Sequence, residues 1–351
     1  MNADLAGAIG AAPPTSFWLA GAIFAALCLY FLLGGADFGG GVWDLLARGP
    51  RAAAQRRAVE SAIGPIWEAN HVWLILVVVV LFTAFPPAFA AIAVALHVPL
   101  TLFVVGVVLR GSAFAFRSSD TEGDVQQRRW GLVFSIASTI APVLLGMMVG
   151  ALVSGRIRVR DGIVVGDAFF APWLAPFPIA VGLFALALCA FLAATYLTVE
   201  VTDEELRQDF RRRALGAGVA AGVLALAAFA FSGDGAPRVQ QTLLMRRWSW
   251  PFHALTAAAA VTALRALQRR RFRLARVAAA AQTVLILLGW AQAQYPFLVV
   301  PDVTLASAAA SARVQRLLLI VLGAGLPVLV PSLVVLFRVF KASPSSRRAP
   351  H

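Results

Sequence analysis

The chain has 351 residues, of which 60% are hydrophobic and only 13% charged, and its mean hydropathy is +0.81. A water-soluble domain cannot carry that composition, because its surface would expose too much apolar area. A net charge of +13 would suit a nucleic-acid binder, but the arginines stand in short clusters between apolar runs, as in loops beside a membrane, so no nucleic-acid partner is expected.

A membrane-crossing helix needs roughly 20 apolar residues. Nine stretches qualify in chain order: 17–44, 60–84, 88–110, 130–153, 172–198, 214–232, 250–267, 274–296 and 314–338. The run 250–267 is alanine-rich and the shortest of span length. Pro86 and Pro87 are expected to close the second span in a tight turn, since proline cannot continue the helical hydrogen-bond ladder. With nine spans and the N-terminus outside, 22 of the 30 Lys and Arg residues fall on the inner side and 8 on the outer, the bias that sets membrane orientation. The expected architecture is an all-α integral membrane protein with nine transmembrane helices, N-out and C-in. Residues 1–341 form one polytopic domain, and the polar, basic tail 342–351 is expected to be disordered. Asp4 is the one charge before Phe17, which does not fit a cleavable signal with its positive first segment.

Ionisable residues inside a span are costly and mark functional candidates. Asp37 lies in Gly34-Gly35-Ala36-Asp37-Phe38-Gly39-Gly40-Gly41, seven residues before Asp44, or roughly 10 Å deeper at helical rise. The glycines let a neighbouring helix approach closely, as in small-xxx-small packing at Gly35 and Gly39. Glu68 lies in Ile63-Gly64-Pro65-Ile66-Trp67-Glu68-Ala69-Asn70-His71-Val72-Trp73, eleven residues after Arg57, roughly 16 Å of helix. Both acids are thereby placed in the inner half of consecutive antiparallel helices, where they face one another or line one polar path. Coupled carboxylates in low dielectric suit proton uptake and relay. Asn70, Trp67 and Trp73 are the expected hydrogen-bond donors around them, and Arg110, at the end of the third span, a candidate partner for a buried acid. The competing reading is a polar cluster that only pins helices together.

Of the four histidines, His71, His97 and His253 are in or beside spans and His351 is in the tail. None is spaced to stack haems, and no CxxCH or HExxH motif occurs. Helix-packing histidines that bond a nearby carbonyl are expected, with no metal site. Cys28 and Cys189 lie in apolar runs and are read as buried thiols. Tyr295-Pro296-Phe297 with Pro301-Asp302 reads as an aromatic and proline stop at the outer end of the eighth span.

The string from Gly35 to Gly41, an Arg-Arg pair, and then Ile63-Gly64-Pro65-Ile66-Trp67-Glu68-Ala69-Asn70-His71-Val72-Trp73-Leu74-Ile75 resembles the N-terminal signature of cytochrome bd oxidase subunit II. Weaker echoes are Leu109-Arg110 with Phe114 and Arg117, Ala194-Thr195-Tyr196-Leu197, and Tyr295-Pro296-Phe297 ahead of Pro301. The resemblance implies two four-helix bundles plus one peripheral helix in a bacterial inner (plasma) membrane. It implies a complex that oxidises a membrane quinol and reduces dioxygen to water, with haem b and haem d in a partner, subunit I. This chain would then hold no cofactor, stabilise that partner, and use Asp37 and Glu68 in a proton path from the cytoplasm. A quinone held as a structural lipid and small single-helix accessory subunits are left open. Gly34 departs from the family, which commonly has an acid there. The rival readings are a proton-coupled transporter and a scaffold homologue in another membrane complex.

Overall fold

The computed structural model describes residues 14–64, 67–119, 124–167 and 169–341. Twelve helices and two small hairpins occur among them. They are α1 (Pro14–Leu45), α2 (Ala52–Ile63), α3 (Trp67–Ala84), α4 (Pro86–Ala95), α5 (His97–Ser119), α6 (Asp124–Val153), α7 (Pro176–Glu200), α8 (Glu204–Gly235), α9 (Pro237–Met245), α10 (Ser249–Gln268), α11 (Phe272–Gln294) and α12 (Ala312–Lys341). The hairpins are β1 (Arg158–Arg160) with β2 (Ile163–Val165), and β3 (Phe297–Val299) with β4 (Val303–Thr304). Both pairs are antiparallel, with Arg158 opposite Val165 and Phe297 opposite Thr304.

Among the described residues, eight helices are long and apolar enough to cross a membrane: α1, α3, α5, α6, α7, α8, α11 and α12. The chain is a multi-pass membrane protein. The expected span 250–267 is present as α10, but it is not one of the eight. Ser249, His253, Thr256, Thr262 and Arg265 dilute its alanines.

Three sequence expectations need correction. The expected span 60–84 is divided into α2 and α3, and α2 stops at Ile63, ahead of the Gly64-Pro65 pair in the sequence. The expected span 88–110 is two helices with a break at Leu96. Pro99 accounts for that break: in a continuous helix its ring would clash with the carbonyl of Ala95, the last residue of α4. The spanning helix is therefore displaced toward residue 117. Pro86 and Pro87 open α4 instead of forming a turn, with Phe85 at the cap. Proline is well suited to the first helical turn, where its missing N–H would be unpaired anyway.

Helix α1 is the hub: it packs on α3 and α6 on one side and on α7 on the other. Helix α5 packs on α6, while α7 joins α8 and α11, and α10 joins α8 and α11. Helix α12 touches α1 and α3, where Ser16 Oγ and Thr15 Oγ1 each donate to Gln315 Oε1 at 2.8 Å. Two apolar cores result. One includes Tyr30, Phe38, Trp73, Phe103 and Met147, the other Trp43, Leu188, Phe191, Phe210 and Leu267, and α1 supplies residues to both.

Glycine makes the α1–α7 approach possible. A Cβ on Gly39 would collide with the Cys189 carbonyl oxygen, and Gly35 lies 3.3 Å from Cys189 Sγ by the same measure. Small residues at a helix crossing allow this backbone proximity, and dispersion across it replaces the hydrophobic drive that lipid does not supply. The same device recurs between α6 and α7, where a Cβ on Gly146 would stand 2.7 Å from Gly182 Cα.

The arginine clusters converge on one end of the helices and satisfy carbonyls that helix C-termini leave open. Arg211 donates to Leu267 O (2.7 Å) and Gln268 O (3.0 Å) at the end of α10, and Arg213 to Trp43 O and Leu46 O (both 3.3 Å) at the end of α1. Arg51 forks onto Asp209 at 2.8 Å through both Nε and Nη2, and Asp203 caps α8 by accepting from Leu206 N–H at 2.8 Å. At the other end, β1–β2 turns through Asp161 and Gly162, both with positive φ (51° and 78°), as a two-residue hairpin demands. There Arg158 and the Val159 N–H grip Asp302 at 2.8 Å. That ties the two hairpins together.

Two outcomes follow. Gly39→Val should force α1 off α7, costing at least the about 1–3 kcal/mol typical of overpacking, seen as loss of the monodisperse detergent-solubilised species. For Asp302, burial pushes the carboxyl up, but Arg158 and the Val159 N–H outweigh it and hold the group below its ordinary 3.8. That contribution is present above 3.8 and is lost as pH falls through the depressed value. Asp302→Asn should therefore lower the thermal midpoint at neutral pH, with the gap to the parent closing in acid.

Candidate functional site

Asp37, Asn70, Arg110 and Trp67, all singled out in the sequence, meet between α1, α3, α5 and α6. Asp37 on α1 is 6% exposed, Asn70 on α3 and Arg110 on α5 are each 1% exposed. Asn70 Nδ2 donates to Asp37 Oδ2 at 2.6 Å, a short contact of the charge-assisted kind. Arg110 acts electrostatically on Asp37 and on Tyr30. It sits in an aromatic cage, with Cζ 5.0 Å from the Phe38 ring centroid, 5.4 Å from Phe134 and 5.8 Å from Trp67. Its Nε donates to Ser138 Oγ at 3.1 Å. Cation–π attraction is strongest where water is excluded, so the cage offsets part of the cost of burying this guanidinium.

Trp67 contributes ring surface: it lies on Gly111, where a Cβ would come within 2.9 Å of it, and touches Phe114 and His71. Trp73 is buried in the first apolar core, just under one turn beyond Asn70 on α3. Glu68 is placed differently from Asp37. It occupies the first turn of α3 on the exposed side of the helix, while Asn70 two residues on turns inward. The two acids therefore do not face one another, because two residues of helix rotate the side chain by roughly 200°.

Several members of the cluster escape a reading by sequence. Tyr30, one helical turn before Gly34, packs at 5.9 Å on His71 and 6.3 Å on Phe38. Tyr30 Oη, His71 Nδ1 and Arg110 Nη2 are buried without a hydrogen-bond partner among the described residues, and groups of this kind are ordinarily hydrated. A Cβ at 34 would stand 3.0 Å from the Tyr30 ring, so any side chain there requires the ring to give by a few tenths of an ångström. A second polar cluster lies two turns along α1. Asp44, read from sequence as an interfacial marker, is 3% exposed; it accepts from Ser135 Oγ at 2.7 Å and pairs with Arg117 at 3.0 Å, which also reaches Glu60 at 3.4 Å. Its one sequence signal is the echo at Arg117.

Two cavities flank this region. One of about 110 Å³ runs from Asp37 and Asn70 to Glu200 and Arg276. The other, about 380 Å³ and almost wholly apolar, lies between α1, α6, α7, α8, α10 and α11, with Phe31, Phe184, Phe229, Trp248 and Trp290 on its walls. No group of three or more His, Cys, Asp or Glu that could hold a metal occurs among the described residues. His97 meets Val94 O at 2.8 Å and His253 meets Leu243 O at 3.1 Å, the carbonyl-bonding role expected of them. His71 is wedged between Tyr30, Phe38 and Trp67 at 5.9–6.2 Å. His97 and His253 are exposed, and His253 also lines the larger cavity.

Residues 15–340 match the family model for cytochrome bd terminal oxidase subunit II. The chain belongs to that family. It is 32% identical over 130 residues to the cytochrome bd ubiquinol oxidase subunit 2 of Bacillus subtilis, covering 36% of each chain. It is 27% identical over 160 residues to the cytochrome bd-I ubiquinol oxidase subunit 2 of Escherichia coli K12, covering 44% of this chain and 41% of that one. The match thus spans less than half the length of these two relatives. A putative cytochrome bd menaquinol oxidase subunit II of Bacillus subtilis is 23% identical over 289 residues, 80% of this chain and 82% of that one. The fold is that of a chain in the bd oxidase structure from Geobacillus thermodenitrificans, with a TM-score of 0.77 at 23% identity, over 93% of this chain and 99% of that one.

The Asp37–Arg110 arrangement makes a clear prediction. Arg110 is buried and acts electrostatically on Asp37, so its loss leaves that carboxylate less compensated. Arg110→Leu should lower the stability of the folded protein by up to about 3 kcal/mol. Adding Asp37→Asn to that background should recover a large part of the loss, read as thermal midpoints in detergent.

Proposed function

We propose that this chain is subunit II of a bd-type quinol oxidase, a terminal oxidase that oxidises a membrane quinol and reduces dioxygen to water. In this reading it carries no haem. Haem b and haem d reside in subunit I, which this chain stabilises, and it also contributes to proton uptake from the cytoplasm. Family membership supports the complex, and the ring packing of His71 with the carbonyl contacts of His97 and His253 supports the haem-free role. The observation that carries the proton role is Asp37, a carboxylate held by Asn70 and Arg110 inside a spanning helix. An ionisable group at that depth is expensive and is retained where charge or protons must pass.

The inner side is taken as the arginine-rich end, giving nine helices with the N-terminus out and the C-terminus in. In that count α10 completes the set beside the eight more apolar helices. Packing of α1 with α3 and α6 and of α5 with α6, of α7 with α8 and α11 and of α10 with α8 and α11, and of α12 on α1 and α3 fits two four-helix bundles plus a peripheral helix, with α7 packed on α1 and α6 at the bundle boundary. The polytopic domain then runs to residue 341, with the basic tail on the cytoplasmic side; that tail lies outside the described residues. Glu68, on the exposed side of α3, requires a partner for its charge at that depth, and subunit I supplies it. The 380 Å³ apolar cavity is the natural place for an isoprenoid quinone held as a structural lipid.

Asp37→Asn and Glu68→Gln should each slow quinol-oxidase turnover per haem by about 10²-fold, as loss of a proton-transfer group does. Glu68→Gln should keep haem content and subunit I recovery at the parental level, and Asp37→Asn, which leaves the Arg110 charge less compensated, is read per assembled complex. Full turnover would make both carboxylates structural. Loss of haem in Glu68→Gln would assign that group to assembly.

A further inference from the structure

The relay acid Asp37 has a physical route to the arginine-rich surface, and the group at its mouth has no assigned role. The 110 Å³ cavity is walled by the small residues Ala36, Gly40, Ala62 and Ala193 together with larger apolar ones, Val59 and Ile63 of α2 among them. At about 30 Å³ per molecule it has room for about three waters. Its inner end is polar, formed by Asp37 and Asn70, and its outer end is polar, formed by Glu200 and Arg276. The walls between are apolar. Glu200, the last residue of α7, pairs with Arg276 of α11 at 3.2 Å, and the two side chains are 30% and 40% exposed. Arg276 is steadied in turn by the Tyr196 ring, 4.9 Å from its Cζ.

A solvent-reached carboxylate at one end, a buried carboxylate at the other, and room for a short water file between them form the geometry of a proton antechamber. We infer that Glu200 is the proton-collecting group of this subunit. It takes a proton from bulk water and passes it through the cavity to Asp37, returning to its ionised form paired with Arg276. One proton enters and one arrives, so Glu200 ends each cycle unchanged, and Asp37 is neutral until it hands the proton on. Arg276 is a positioning residue that keeps the carboxylate at the mouth. This rests on the proton role proposed for Asp37.

The test uses the assembled two-subunit oxidase in vesicles, with turnover and proton uptake followed in H₂O and D₂O. Glu200→Gln should slow proton uptake about tenfold and raise the solvent isotope effect, with Glu200→Asp restoring most of the rate. Ala62→Phe, which changes no charge, should slow uptake by plugging the file. If Glu200→Gln and Ala62→Phe keep the parental rate and isotope effect while Asp37→Asn is slow, protons enter elsewhere and the inference fails alone. If Asp37→Asn is also at the parental rate, the relay reading falls and this one with it. Should Glu200→Gln lose haem, the Asp and Phe variants decide: an unchanged rate in Ala62→Phe overturns the route.

Discussion

The close passage of α1 over α7 at Gly39 is the contact on which the rest of the structure depends. Lipid offers helices no hydrophobic reason to associate, so contact must come from backbones that approach until van der Waals surfaces interlock. Gly35, Gly39 and Gly41 leave α1 bare on the sides it presents to α7 and α6: Gly39 meets the Cys189 carbonyl, and a Cβ on Gly41 would collide with Ser138. Once α1 is seated there, its other faces are committed. Asp37 is carried to Asn70 and Arg110, and Asp44 to Ser135 and Arg117.

The same glycines shape the chemistry. The glycine stripe is a packing surface for α2 as well, since a Cβ on Gly40 would collide with Ile63, and the cavity beside Asp37 lies along that contact. A buried carboxylate with an amide donor on one side and a caged guanidinium on the other is held in place without being sealed off. Placing a charge in such a site is costly, and the aromatic cage of Phe38, Trp67 and Phe134 is how the protein offsets that cost for Arg110.

The arginines serve a second purpose beyond orientation. Counting them by side treats each as an interchangeable anchor, yet Arg211 and Arg213 bond specific helix-terminal carbonyls and Arg51 forks onto Asp209. These contacts lock loops to helix ends near the mouth of the Asp37 cavity, where Glu200 and Arg276 are themselves paired.

Much of this protein was legible in the sequence because the strongest signals there are local. Apolar runs of span length report a membrane helix whatever surrounds them, and Asp37, Asn70 and Arg110 stood out because polar groups are rare in such runs. Breaks in helices were less legible: Pro99 acts on the carbonyl four residues back, so the interruption appears at Leu96, inside an unbroken apolar run. Which polar residues meet was legible only in part: Asn70 and Arg110 were candidate partners of a buried acid, but which acid each would reach was not. Helical rotation sends Glu68 outward and Asn70 inward, and the partner of Asp44 lies on another helix, at Arg117. The sequence by itself determined that the chain crosses a membrane many times and carries an acid at depth beside a glycine stripe. Only the tertiary structure decided that this acid is bonded by Asn70, faces Arg110, and opens through a cavity to Glu200, because those contacts depend on how helices rotate and cross, and neither is encoded in any one segment.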